Sequence, residues 1–190
     1  MKNYALFLWI ALLMLGISGT IGAREVASFN DGWEFKKGPF SKEALQAVQK
    51  WNSDWQEVSI PHTWNADDMQ KQASAFYEGV GYYRKKFTFP ENMEGKRIFL
   101  RFEGVGSYAE VYINGYLIKD HYGSNAGFQV DITNYLVEGE NDLVVYCFDP
   151  SKDRSIPRGK QDWELEGHAI WYTRTTGIYK SVWLEQVDKK

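Results

Sequence analysis

The strongest constraint on this chain is a two-residue periodicity that recurs in short runs, each closed by a turn signal. Tyr83, Lys85, Phe87 and Phe89 interleave with Arg84, Lys86 and Thr88. Ile98, Leu100 and Phe102 interleave with Phe99, Arg101 and Glu103. Successive side chains of a strand point to opposite faces, so such runs predict strands with one covered face. In 83–89 one of the two faces is mostly charged, which predicts that side toward water. Asn114-Gly115 lies between apolar runs at 111–113 and 116–118. It predicts a two-residue hairpin, because both central positions of the favoured turn need positive φ. Gly139-Glu140-Asn141 predicts a further turn. The candidate strands are 26–29, 34–36, 57–60, 81–89, 97–102, 110–113, 116–119, 128–131, 142–148, 169–173 and 179–186. Against these stands one candidate helix, 41–50, which Ser41 can cap. Short strands at this density predict an all-β sandwich or barrel.

The aromatic content fits that reading. Phe, Trp and Tyr make up 16% of the residues, with eight Trp and twelve Tyr. Aromatic and β-branched residues suit a pleated, half-buried surface. Trp33, Trp55, Trp64 and Trp183 are expected in the core. Trp and Tyr faces also stack on sugars, although core packing is their usual role.

Several function classes are excluded or disfavoured. The net charge is −3, without the basic stripe of a nucleic-acid binder, so no nucleic-acid partner is expected. A single cysteine, Cys147, rules out an internal disulfide framework, and its apolar run predicts a buried thiol. His62, His121 and His168 lack the spacing of zinc ligands. Gly104-Val105-Gly106 leads into a strand and not into a helix, unlike a phosphate-binding loop. No Gly-x-Ser-x-Gly elbow occurs, and no Asp-rich loop has calcium-ligand spacing. Neither a metal nor a cofactor is expected.

Glycoside hydrolysis would need two carboxyl groups held on opposite sides of a sugar bond. Asp67-Asp68 and the group Asp162, Glu164 and Glu166 are the carboxylate clusters available. Nothing in the spacing sets two of them at a defined separation, and adjacent aspartates usually belong to a solvated turn. Both clusters fall in long segments without regular pattern, 64–78 and 149–168. Loops of that length in a compact domain usually carry function. Read from the residues alone, the chain is an aromatic-rich all-β binding module.

The N-terminus has its own character. Lys2 precedes an uncharged run to Ala23 with an apolar heart at 4–15, followed by Arg24 and Glu25. This is the layout of a removable signal peptide spanning 1–23, against the alternative of an uncleaved membrane anchor whose second half would be Gly, Ser and Thr. The rest of the chain, 24–190, is then expected as one exported domain, periplasmic or extracellular.

A set of motifs now adds a family. Pro61-His62-Thr63-Trp64-Asn65 follows a strand, and Gly79-Val80-Gly81-Tyr82-Tyr83-Arg84-Lys85 opens another. Val111-Tyr112-Ile113-Asn114-Gly115 forms the hairpin, and Phe128-Gln129-Val130-Asp131-Ile132-Thr133 precedes Gly139-Glu140-Asn141-Asp142-Leu143. Tyr172-Thr173-Arg174-Thr175-Thr176-Gly177-Ile178-Tyr179-Lys180-Ser181-Val182-Trp183-Leu184-Glu185 closes the series. In this order they resemble the N-terminal domain of glycoside hydrolase family 2, which holds β-galactosidases, β-glucuronidases and β-mannosidases. The long 157–163 loop resembles that of secreted β-galactosidase-like members.

The resemblance implies a jelly-roll β-sandwich of the galactose-binding-like type. It implies immunoglobulin-like sandwich domains and a (β/α)₈ barrel as partners beyond this stretch. Both catalytic glutamates of a retaining O-glycosyl hydrolase would lie in that barrel, so no catalytic residue is expected in 24–190. In the family, loops of this domain reach toward the sugar pocket. The matching residues are Asn65, Asp67 and Asp68 in the first loop and Arg158, Gln161, Asp162 and Trp163 in the second. Carboxylates and amides bond sugar hydroxyls, and a Trp face packs on the ring. Structural roles remain open beside these: Asn65 capping a turn, Arg158 pairing with an acid, Trp163 filling a domain interface, and His62 bonding within the fold. Two other functions stay open as well, a stand-alone carbohydrate-binding module and an assembly domain that helps a larger glycosidase form homo-oligomers.

Overall fold

A computed structural model describes residues 24–39, 54–66, 76–89, 95–164 and 168–189. The leader 1–23, the candidate helix 41–50, Asp67 and Asp68 lie outside the described residues. Ten strands are described, in chain order: β1 Glu25–Ser28, β2 Trp33–Gly38, β3 Gln56–Val58, β4 Val80–Phe89, β5 Lys96–Phe102, β6 Tyr108–Ile113, β7 Tyr116–Tyr122, β8 Phe128–Asp131, β9 Gly139–Phe148 and β10 Val182–Asp188. They form a four-stranded sheet, β1-β10-β5-β8, and a six-stranded sheet, β3-β2-β4-β9-β6-β7. Every strand pairing is antiparallel. The fold is a jelly-roll β-sandwich.

The alternating residues do what their period requires. Tyr83, Phe87 and Phe89 of β4 face inward, as do Ile98, Leu100 and Phe102 of β5, and Leu143, Val145 and Cys147 of β9. The two inner faces close over one core that includes Trp33 and Trp64. Fully burying such side chains contributes about 1.5–3 kcal/mol each. Trp33 still bonds its indole N–H to the Phe29 carbonyl, at 2.7 Å. Cys147 is a buried free thiol, as expected, and burial pushes its pKa well upward. The hairpin forms as read: Ile113 pairs with Tyr116, and Asn114 and Gly115 take φ of 48° and 84°.

Four expectations need correction. Residues 169–173 are not a strand. Ala169 adopts φ 48°, which breaks the extended course, and the segment makes one parallel bridge, Tyr172 to Gln161. The turn at Gly139-Glu140-Asn141 lies slightly earlier. Gly139 already opens β9, and the buried Asn141 amide ties back to the Val137 N–H and carbonyl at 2.8 and 2.9 Å. The charged face of β4 is not turned to water along its length. Arg84 is 2% exposed, paired with Glu34 at 2.7 Å and stacked over Trp55 at 4.1 Å. Around it Val80, Tyr82, Tyr112, Val144 and Tyr146 form a second apolar cluster on the outer face of the six-stranded sheet. Finally, Trp55 and Trp183 are half-buried on outer faces, and the Trp183 indole N–H donates to Glu103 at 2.8 Å.

Candidate functional site

One end of the sandwich gathers the long connections. Val80, Phe148, Tyr108 and Tyr122 terminate neighbouring strands at the same level of the six-stranded sheet. Val182, Phe102 and Phe128 do so in the four-stranded sheet. The Gly106 N–H donates to the Gly177 carbonyl at 3.0 Å, which joins loops of both sheets at this end.

The segment after Pro61 runs beside the segment before β10. The His62 N–H donates to the Ile178 carbonyl at 2.8 Å, and Thr63 Oγ1 lies 3.0 Å from Thr176 Oγ1. Asn65 follows, 1% exposed, with its Nδ2 donating to the Arg174 carbonyl at 3.4 Å. Its Oδ1 has no hydrogen-bond partner among the described residues. His62 Nδ1 lies 2.7 Å from the Tyr83 hydroxyl, the structural bond expected of it.

The second loop also bonds to 172–175. The Asp162 N–H donates to the Tyr172 carbonyl at 2.8 Å, and the Tyr172 N–H to the Lys160 carbonyl at 3.0 Å. Gln161 Oε1 accepts from the Thr175 N–H at 2.6 Å, and its Nε2 donates to the Arg158 carbonyl at 3.2 Å. The two predicted loops therefore meet at one shared ledge, residues 172–176.

Within this ledge the predicted residues separate by role. Gln161 spends both ends of its amide on backbone. Asp162 is 1% exposed and accepts from the N–H groups of Glu164 and His168, at 3.0 and 2.9 Å, and from His168 Nδ1. Burial raises its pKa, but these bonds outweigh it and hold the carboxyl below the usual range. Asp162 is thus a latch for its own loop. Arg158 donates one guanidinium N–H to the Ser151 carbonyl at 2.7 Å, where pairing with an acid was one expectation. Its guanidinium lies 4.9 Å from the centre of the Trp163 ring. Trp163 packs edge-on against Trp171, at 4.6 Å, and against His168, at 5.1 Å. Trp163 and Trp171 are half-buried, and Ile170 and Tyr172 beside them are largely exposed.

Arg174 and Asp149 were not singled out in the sequence, and they hold the ledge in place. Arg174 Nη2 donates to both the carbonyl and the carboxylate of Asp149, and Asp149 also accepts from the Ser107 hydroxyl. The only signal was one Arg among small residues ahead of Gly177.

Chemically, this end offers aromatic faces and the guanidinium N–H groups of Arg158 that bond no described residue. Three of its carboxylates are engaged: Asp149 with Arg174, Asp153 with Ser155, and Asp162 with His168. Among the described residues no group of three His, Cys, Asp or Glu side chains could hold a metal.

A two-sheet jelly roll with a polar and aromatic loop cluster at one end defines a galactose-binding-like domain. The family model "Glycosyl hydrolases family 2, sugar binding domain" matches residues 26–187, and the chain belongs to that family. A β-galactosidase of Thermoanaerobacter pseudethanolicus is 32% identical over 166 residues, covering 85% of this chain and 21% of that protein. A β-glucuronidase of Bacteroides fragilis is 29% identical over 188 residues, covering 99% and 24%. Among solved structures, one from Bacteroides fragilis has a TM-score of 0.69 at 44% identity, covering 86% of this chain and 23% of its own. A Bacteroides uniformis β-glucuronidase has a TM-score of 0.70 at 30% identity, covering 87% and 18%. This chain spans about a fifth to a quarter of the length of these relatives.

Proposed function

We propose that the chain is the non-catalytic first domain of an exported, β-galactosidase-like enzyme that hydrolyses O-glycosyl bonds, with 172–176 and its flanking loops forming one wall of the sugar pocket. Residues 1–23 act as the export leader, and catalysis belongs to a barrel domain that docks on the loop end. The observation that carries this reading is the meeting of the two predicted loops at 172–175: Asn65 bonds the Arg174 carbonyl, Gln161 bonds the Thr175 N–H, and the Trp163 and Trp171 rings beside them are partly open. Trp163 stacks on a sugar ring, and Arg158, Asn65, Asp67 and Asp68 bond its hydroxyls. Gln161 and Asp162 act by shaping the loop.

The test is kinetic, in the enzyme that carries this domain. Trp163→Ala is expected to raise KM for 4-nitrophenyl β-galactoside by roughly tenfold, as loss of a stacking contact would. An unchanged KM, or an effect on 4-nitrophenyl β-glucuronide alone, would overturn the pocket assignment or the choice of sugar respectively. The 190-residue chain by itself should turn over neither substrate. An intact-mass measurement of exported protein should find Arg24 at the N-terminus.

A further inference from the structure

The outer face of the six-stranded sheet holds a groove that adjoins the loop site and shares the 150–156 stretch of its second loop. It has a volume of about 330 Å³ and is lined by Tyr108, Glu110, Tyr122, Tyr146, Phe148 and Ile156, with Pro150 and Asp153 at its rim. Tyr108, Glu110, Tyr146 and Phe148 project from adjacent strands β6 and β9, in register Tyr108 to Phe148 and Glu110 to Tyr146. Tyr122 comes from the neighbouring strand β7, opposite Tyr108. Because the side chains of a strand alternate, these positions necessarily share a face.

The Tyr108 and Tyr122 rings lie 4.6 Å apart at 44°, and Tyr146 meets Tyr108 edge-on at 6.1 Å. The three rings therefore pack against one another on this face. Tyr122 is 64% exposed. At the centre, Glu110 Oε1 accepts from the Tyr108 hydroxyl at 2.6 Å, and Oε2 accepts from Tyr112. Each carboxylate oxygen keeps a lone pair for another donor. Burial, followed by these bonds to Glu110, pushes both phenols upward, so they stay protonated.

The chemistry of an occupant follows. Small-molecule sites are clefts of about 300–1,000 Å³, mostly apolar and aromatic, with a few placed polar groups. A pyranose ring presents an apolar C–H face to aromatic rings and hydroxyl donors at its rim. The lining contains two acids and no base, which disfavours an anionic ligand. A quaternary ammonium ion prefers rings that surround it, whereas here one ring, Tyr122, is largely exposed and the groove leaves room for a larger ligand. We propose that this groove is a second carbohydrate site, on the sheet face, for a neutral hexose unit stacked on the exposed Tyr122 ring and hydrogen-bonded to Glu110.

The test uses the whole chain labelled with nitrogen-15 and titrated with methyl β-galactoside, methyl β-glucoside, methyl β-glucuronide and tetramethylammonium chloride. Binding of a neutral glycoside near millimolar affinity, with amide shifts centred on 108–110, 122 and 146–150, is expected. Tyr122→Ala should weaken it by roughly tenfold, with its own spectral changes confined to neighbours such as Tyr108, because the ring is largely exposed. Glu110→Gln, which keeps the shape and removes the charge, should also weaken it. Four results would overturn the proposal: no neutral glycoside binds, the glucuronide binds as well as they do, tetramethylammonium competes for the groove, or the shifts centre on 158–172. The pocket-wall reading is tested by turnover in the complete enzyme, so either idea can fail without the other.

Discussion

Arg174 places a single guanidinium nitrogen, Nη2, 2.5 Å from both the backbone carbonyl and the carboxylate of Asp149. The two side chains are 3% and 9% exposed. The pair fastens the residue that follows β9 to the ledge that precedes β10. It lies between the two loops on which the proposed sugar contacts sit.

Removing one partner strands a buried charge. Arg174→Met should therefore cost about 3–5 kcal/mol, more than the pair contributes over an apolar replacement. The urea midpoint of the chain measures this. If Arg174→Met together with Asp149→Leu is no more stable than Arg174→Met, the penalty does not come from the stranded carboxylate.

Acid should destabilise the fold through three named carboxyls. Glu185 is 1% exposed and is held by Arg24, by Arg101 Nε at 2.6 Å and by Gln129 Nε2 at 2.8 Å. Burial raises its pKa, but the two arginines bring it below the ordinary glutamate range. Asp131, bonded by Thr133 and Arg97, and Asp162 are lowered in the same way against their own burial. A carboxyl depressed in the native state stabilises it above the unfolded pKa, and that stability is lost as pH falls through the folded value. Urea midpoints should thus hold steady above about pH 5 and fall below about pH 4. Glu185→Gln should be less stable than the parent at pH 7, and the difference should shrink toward pH 3. A constant difference across that range would contradict the assignment.

Gly177 should tolerate no side chain. Its φ is 73°, and an added Cβ would lie 2.1 Å from the Tyr83 hydroxyl oxygen and 3.2 Å from Trp64. Gly177→Ala combines left-handed strain with overpacking, each about 1–3 kcal/mol. Thermal unfolding should show a drop of several degrees or more. Gly95 has φ 74° but open space around it, so Gly95→Ala should lose only the conformational part. Equal effects at the two glycines would remove steric contact as the cause.

Much of the fold was legible because strand period and turn chemistry are local. Tyr83 to Phe89, Ile98 to Phe102 and Asn114-Gly115 announce their strands and hairpin without reference to the rest of the chain. The motif order from Pro61 to Glu185 carries the family for the same reason. Locality also explains the misreadings. Arg84 reads as a solvent-facing charge, and nothing near it in sequence shows that Glu34 and Trp55 will cover it. Residues 169–173 have strand composition, but the left-handed Ala169 ends any extended run.

The candidate site divides along the same line. Arg158 and Trp163 could be proposed from their loop, and the structure places them partly open at one end of the sandwich. Asp162 and Gln161 carry the same chemical credentials, yet they turn inward to bond His168, Thr175 and the loop backbone. The Arg174–Asp149 pair and the tyrosine groove join residues whose neighbours lie on other strands. The sequence by itself determined the all-β class, the hairpin and the family, because these follow from residue type and short-range order. Only the tertiary structure decided which polar groups are consumed internally and which faces stay open, because that depends on pairing between strands distant in the chain.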